Sequence, residues 1–202
     1  MANRNTVGFG LIAQGNVGSS DANQGQGKYY IDANYGVAMF QGSVVQSKAG
    51  YIADAEAART RLTIGILNGI FYNAATTQKP TWANHYVANT VPANSEDITA
   101  FVIDSPLQLF AVGADGAVAA ALYGNTASMT QAVPAGSTLS GQSSKQLNVA
   151  ANTSATANQF RLLRSAEDVE NEDGTVANST IIVTQNLNQY LQNTGTAGIT
   201  WQ

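Results

Sequence analysis

Two apolar runs, residues 100–103 and 107–112, lie on either side of Asp104-Ser105-Pro106. The runs are rich in β-branched and aromatic residues, and the triplet between them supplies the side-chain acceptors and the fixed φ of a tight turn. This pattern predicts a hairpin over residues 98–113. On its second arm Leu107, Leu109 and Ala111 share one face, and Gln108, Phe110 and Val112 share the other. A strand with one solvated face would alternate with polar residues, which are mostly missing here, so both faces are expected to be covered. The hairpin is therefore expected at the centre of a sheet or barrel.

The rest of the chain repeats this texture in shorter pieces. Strands are predicted over 29–33 and 37–46, separated by Asn34-Tyr35-Gly36 and broken at Gly42. Residues 62–72 predict another strand, with Asn68-Gly69 marking a bulge or kink. Residues 53–58 are locally helix-capable. Residues 74–94 predict a polar excursion that carries Trp82, His85 and Tyr86. The Ala-rich stretch 117–123 predicts a turn or two of helix or a small-residue packing face, stopped by Gly124-Asn125. Short strands follow over 145–150 and 160–164, the latter paired with 180–185 across the acidic run 167–174. Many short strands with frequent glycine turns and little helix predict a mainly β fold, a β-barrel or β-sandwich body.

The first 27 residues differ. Gly8, Gly10, Gly15, Gly18, Gly25 and Gly27 are interspersed with Asn, Gln and Ser, and only Val7, Phe9, Leu11 and Ile12 offer apolar anchors. Residues 1–27 are therefore expected to be an extended Gly-rich N-terminal arm, and residues 28–202 the β-rich body. Such an arm is expected to be either a floppy terminus or a segment that orders on contact with a neighbouring subunit.

Composition narrows the function. The 202 residues are 44% hydrophobic, enough for a sizeable core, yet only 11% charged, against roughly 25% in soluble domains at large. The net charge is −4 and the nine Lys and Arg are scattered, which argues against a nucleic-acid partner. No cysteine is present, so disulfides, thiolate nucleophiles and Cys-ligated metals are excluded. The opening residues carry no secretory signal pattern, and no window approaches a membrane-spanning helix. The expectation is a protein made in a cytoplasm, with no membrane partner.

Candidate chemistry is sparse. His85 is the single histidine, and no Gly-x-Ser-x-Gly elbow accompanies it, so it reads as a loop residue. The Gly-x-Gly pairs at Gly8 and Gly25 do not extend to a dinucleotide or phosphate loop. Glu167, Asp168, Glu170, Glu172 and Asp173 supply carboxylates for a hard cation, but the spacing of Gly174 and the missing downstream Glu depart from a calcium loop, which leaves a solvated turn. Phe71, Tyr72, Trp82 and Tyr86 form either a sugar-stacking platform or a core or subunit contact. No catalytic residue, cofactor or metal site is expected, and the protein is not expected to be an enzyme.

Several segments resemble a family of tailed-bacteriophage head decoration proteins, which cement or stabilise the capsid. The similarity runs from near the N-terminus to about Leu191. It is carried by Ile64-Gly65-Ile66-Leu67-Asn68-Gly69-Ile70-Phe71-Tyr72, by Lys79-Pro80-Thr81-Trp82-Ala83-Asn84, and by Ala100-Phe101-Val102-Ile103-Asp104-Ser105-Pro106 with Phe110. Leu139-Ser140-Gly141-Gln142-Ser143, Phe160-Arg161-Leu162-Leu163, and Asn171 with residues 181–186 extend it, as do Phe9-Gly10-Leu11 and Phe40-Gln41-Gly42. The chain departs from the family at Gly42-Ser43-Val44-Val45, where Gly-Asp-Pro-Val is frequent, and around Gln189, where a histidine is frequent.

The resemblance implies a structural virion protein on the outer capsid surface that bridges neighbouring capsomers. Its partners would be the major capsid protein and itself, as a homo-oligomer, with a trimer favoured over a dimer. Val7, Phe9, Leu11, Ile12, Trp82 and Tyr86 are the expected capsid or subunit contacts. The alternative is an exposed head fibre or adhesin that binds host-surface glycans through the loop bearing Trp82 and Tyr86.

Overall fold

The computed structural model describes residues 3–18, 25–55, 62–130, 136–153 and 158–190. Among these, twelve strands succeed one another: β1 (Ile12–Asn16), β2 (Gly27–Ile31), β3 (Val44–Lys48), β4 (Tyr51–Asp54), β5 (Gly65–Asn73), β6 (Pro80–Ala83), β7 (Ile98–Ile103), β8 (Gln108–Gly113), β9 (Thr126–Met129), β10 (Leu147–Thr153), β11 (Phe160–Ser165) and β12 (Thr180–Gln185). Among the described residues the helical content is two short 3₁₀ turns, Ala93–Ser95 and Ala120–Leu122. The fold is mainly β, as the texture of the sequence predicts, and the β-sandwich is the form it takes.

The strands form two antiparallel sheets. The first has the order β1-β8-β12-β11-β9-β10, and the second β2-β7-β5-β3-β4, with β6 paired to the far end of β5. One core lies between them, built from Phe110, Val112, Phe160, Leu162, Ile181 and Val183 of the first sheet against Val44, Ile66 and Ile103 of the second. A second core covers the opposite face of the second sheet, where Leu67, Ile70, Ile98, Ala100 and Val102 meet Met39 and Tyr86. Met39 and Tyr86 exchange backbone hydrogen bonds of 3.0 and 2.7 Å, which holds that cover in place.

The hairpin expected over 98–113 is not one. β7 pairs with β2 and β5, whereas β8 pairs with β1 and β12, so the two runs belong to opposite sheets. Pro106 occupies the second position of a turn closed by Gln108 N–H donating to the Ser105 carbonyl at 3.2 Å. Common turns of this kind splay strands, unlike the primed turns of two-residue hairpins. The alternation predicted for β8 does hold: Phe110 and Val112 enter the inter-sheet core, and Leu109 and Ala111 face outward.

The bulge predicted at Asn68-Gly69 is present. The pairing of β5 with β7 shifts register between Leu67 and Gly69. Leu67 and Ile70, three residues apart, therefore enter the same core, which strict alternation forbids. The partnership of 160–164 with 180–185 also holds, as β11 with β12. The excursion 74–94 contains strand β6, and residues 53–58 begin at the end of β4, with 56–61 outside the described residues.

The N-terminal arm needs correction, because the described part of residues 1–27 is built into the body. Asn3 Nδ2 donates to the carbonyls of Asp173 and Ala177 at 3.0 and 2.9 Å, and Asn5 N–H donates to Asn171 Oδ1 at 2.8 Å. The chain then crosses Ser144 and Gly42, sends Leu11 into the inter-sheet core, and pairs as β1 with β8. The glycines that suggested looseness serve this crossing. A Cβ at Gly8 would lie 2.2 Å from the Ser144 carbonyl oxygen, and Gly10 has φ of +72° with its Cβ position 2.7 Å from Ser143 Cβ.

Candidate interaction surfaces

Among the described residues, two surfaces contain exposed residues that the sequence points to. The first runs along the N-terminal segment. Pairing with β8 fixes β1 and leaves Ile12 46% exposed, and its flanking residues Val7, before the strand, and Val17, just after it, are 66% and 47% exposed. Beside them a groove of about 760 Å³ crosses the outer face of the first sheet, floored by Leu109, Ala111 and Ile182 and edged by Phe9, Arg164 and Asp168. Leu11 points the other way and is 4% exposed, so it is a core residue and not a contact.

The second surface is aromatic. β6 pairs Trp82 with Phe71 on β5, and the β5 bulge brings Phe101 of β7 alongside. The Trp82 ring lies 5.0 Å from Phe101 with planes 22° apart, and 5.0 Å from Phe71 at 51°. Even so, Trp82 is 67% exposed. Beside it a hollow of about 250 Å³ is lined by Phe101, Gly69, Asn68, Asn84 and Gln26. Tyr86 is not part of this surface. Its side chain is fully buried in the second core, with its hydroxyl donating to the Tyr35 carbonyl at 2.7 Å. The sequence grouped Phe71, Tyr72, Trp82 and Tyr86; the strand pairing keeps Phe71 with Trp82, adds Phe101 and sends Tyr86 into the core.

The residues weighed for chemistry are engaged structurally. His85 stacks on Phe40 at 5.8 Å, and its Nδ1 lies 3.1 Å from Asn84 Oδ1. The acidic run folds on itself and on the N-terminal segment. Asp168 Oδ2 accepts from Asn171 Nδ2 at 2.9 Å, and Arg4 pairs with Glu170. Asp173 Oδ1 accepts from both the hydroxyl and the amide of Thr175, which lowers its pKa below the usual carboxylate value. No group of three metal-ligating side chains occurs among the described residues.

One polar feature escaped the sequence reading. Lys145 Nζ lies 2.6 Å from Asp54 Oδ1, and both side chains are almost fully buried, 3% and 2% exposed. The pair joins the end of β4 in the second sheet to the segment entering β10 in the first. The two residues are 91 positions apart, and neither lies in a recognisable motif, so no signal in the sequence relates them.

No family model, curated protein or solved structure matches the chain.

Proposed function

We propose that this protein is a structural virion component that binds the outside of a tailed-phage capsid and cements the assembled shell by bridging neighbouring capsomers. The observation that carries this reading is the N-terminal segment. It is anchored at Asn3, Asn5, Leu11 and β1, yet it leaves Val7, Ile12 and Val17 exposed, the first two lining a groove floored by Leu109, Ala111 and Ile182. Exposed apolar residues gathered along a rigid edge are the usual mark of a protein contact. The family resemblance names the partners, the major capsid protein and other copies of this chain.

A ligand that binds only the assembled shell stabilises it by RT ln(1 + [L]/Kd), about 2.7 kcal/mol per site at 100 Kd. Contacts to several capsomers at once raise the effective affinity further. The rigid β-sandwich suits this role, because it brings the contact edge to the capsid already ordered, without the cost of ordering a loose arm.

The test uses undecorated heads and co-sedimentation. Ile12→Asp and Val7→Asp are expected to leave the melting temperature of the free protein unchanged and to lower capsid occupancy about tenfold or more, since each places a charge in an apolar contact. Undiminished occupancy in the double variant would remove the N-terminal edge from the reading. Failure of the parent protein to bind heads would remove the reading itself.

A further inference from the structure

We propose that the hollow beside Trp82 binds a neutral saccharide, with the indole stacking on one face of a pyranose ring and the flanking amides bonding its hydroxyls. The inference is independent of the capsid reading. The first observation is a held but uncovered ring. Phe101 and Phe71 pack against Trp82 at 5.0 Å each, fixing its orientation, while 67% of the residue stays in solvent. A pyranose offers a face of polarised C–H groups, and the electron-rich face of an aromatic ring is their complement.

The second observation is the chemistry of the lining. Its polar side chains are the amides of Asn68, Asn84 and Gln26, and none of its side chains is charged. A phosphate, a sialic acid or an acidic peptide would draw on Lys or Arg. Neutral hydroxyls both donate and accept, and so do amides. Existing bonds set which role each asparagine has left. Asn68 Oδ1 accepts from Gln41 Nε2 at 3.0 Å, so its Nδ2 remains to donate. Asn84 is engaged at both ends, its Nδ2 donating to the Ser140 carbonyl at 2.8 Å and its Oδ1 lying 3.1 Å from His85 Nδ1, so the acceptor at the rim is the exposed Gln26 amide. One donor and one acceptor at the rim of a stacking ring match a pair of adjacent sugar hydroxyls.

The third observation is that the hollow is built by the fold. The bulge at Asn68-Gly69 places Asn68 in the lining of the hollow, and Gly69 lets the Ala83 carbonyl approach, its Cβ position lying 3.1 Å from that oxygen. Hydrogen bonds from β5 hold β6, and with it Trp82, over the bulge.

The experiment is a glycan array carrying neutral and acidic oligosaccharides, probed with the full chain and with Trp82→Ala, Trp82→Phe and Asn68→Ala, each checked by thermal melting and sedimentation velocity. The expected result is retention on neutral pyranose glycans. Trp82→Ala and Asn68→Ala should weaken it about tenfold or more, and Trp82→Phe less, because it keeps a stacking face. Three results would overturn the proposal: retention on no glycan, retention confined to acidic glycans, or retention unchanged by Trp82→Ala. A change in sedimentation coefficient on Trp82→Ala would also overturn it, making this face a contact between copies. Each leaves the co-sedimentation test of the N-terminal edge untouched.

Discussion

β7 and β8 are neighbours in the chain with the same dense apolar pattern, yet their phenylalanines have opposite fates. Phe110 on β8 is fully buried between the sheets, whereas Phe101 on β7 is half-buried and stacked under the open Trp82 ring. The difference arises from what covers each strand. β8 lies inside its sheet, between β12 and β1, and Leu11, just before β1, seals the inter-sheet core. β7 also lies inside its sheet, but only its Ile103 end reaches that core, and its Phe101 turns to the same side beyond the edge of the cover. A strand's burial is decided by the element laid across it, and the strand's own pattern records only that some cover was affordable.

The largest effect expected is on the seal of β8. Deleting residues 1–17 removes Leu11 from the core, worth about 2–5 kcal/mol as a lone truncation, and also strips β8 of its β1 partner. Urea titration of the truncated protein should show loss of the cooperative transition, or a midpoint lower than that of any substitution below. An unchanged midpoint would mean that the segment is an arm after all.

Phe110→Ala should cost about 3–5 kcal/mol. Lys145→Ala should cost a comparable amount, about 3–5 kcal/mol, because it leaves the Asp54 carboxylate buried without its cation, in the place where the two sheets are joined. Double-mutant analysis of Lys145→Met with Asp54→Leu sharpens this. The pair of substitutions together should cost less than Lys145→Ala alone, since a buried ion pair exchanged for apolar residues of similar volume is often neutral.

Phe101→Ala sits below these, at about 1–2 kcal/mol, the scale of an aromatic pair on a partly open face together with its partial burial. If its urea midpoint falls as far as that of Phe110→Ala, the open face around Trp82 is closed in solution and the contrast between the strands disappears.

The smallest effect is a pH dependence at the crossing between the sheets. Tyr29 on β2 donates its hydroxyl proton to Asp104 Oδ2 at 2.8 Å, and burial, followed by Tyr190 and Asp104, raises its pKa well above the ordinary tyrosine value. A folded pKa raised above the unfolded one gives a contribution that is complete below the unfolded value, about 10, and lost as pH rises toward the folded value. Thermal melting from neutral to strongly alkaline pH should therefore fall more steeply for the parent than for Tyr29→Phe. Parallel curves would show that the Tyr29–Asp104 bond contributes nothing to the crossing.

Much of this architecture is local and was legible as such. The mainly β class, the bulge at Asn68-Gly69, the pairing of β11 with β12 and the inward side of β8 all follow from period-two alternation and turn chemistry, which act over a few residues. Trp82 was visible as a candidate for the same reason, a large aromatic in a polar stretch. What the sequence by itself could not determine was which partner each strand would take. β7 and β8 join different sheets because a pattern apolar on both faces is satisfied equally well by a hairpin or by a crossing. The glycines at Gly8 and Gly10 read as looseness, since a missing Cβ permits both flexibility and close approach, and only the Ser144 backbone against Gly8 and Ser143 and Gly42 against Gly10 select the second. The Lys145–Asp54 pair brings together residues 91 positions apart, Phe101 joins the Phe71–Trp82 pair from another strand, and Tyr86 is drawn away from Trp82 into the core. Local chemistry specified the strands, and the covering of one strand by another, which depends on contacts spanning most of the chain, decided which residues were left for function.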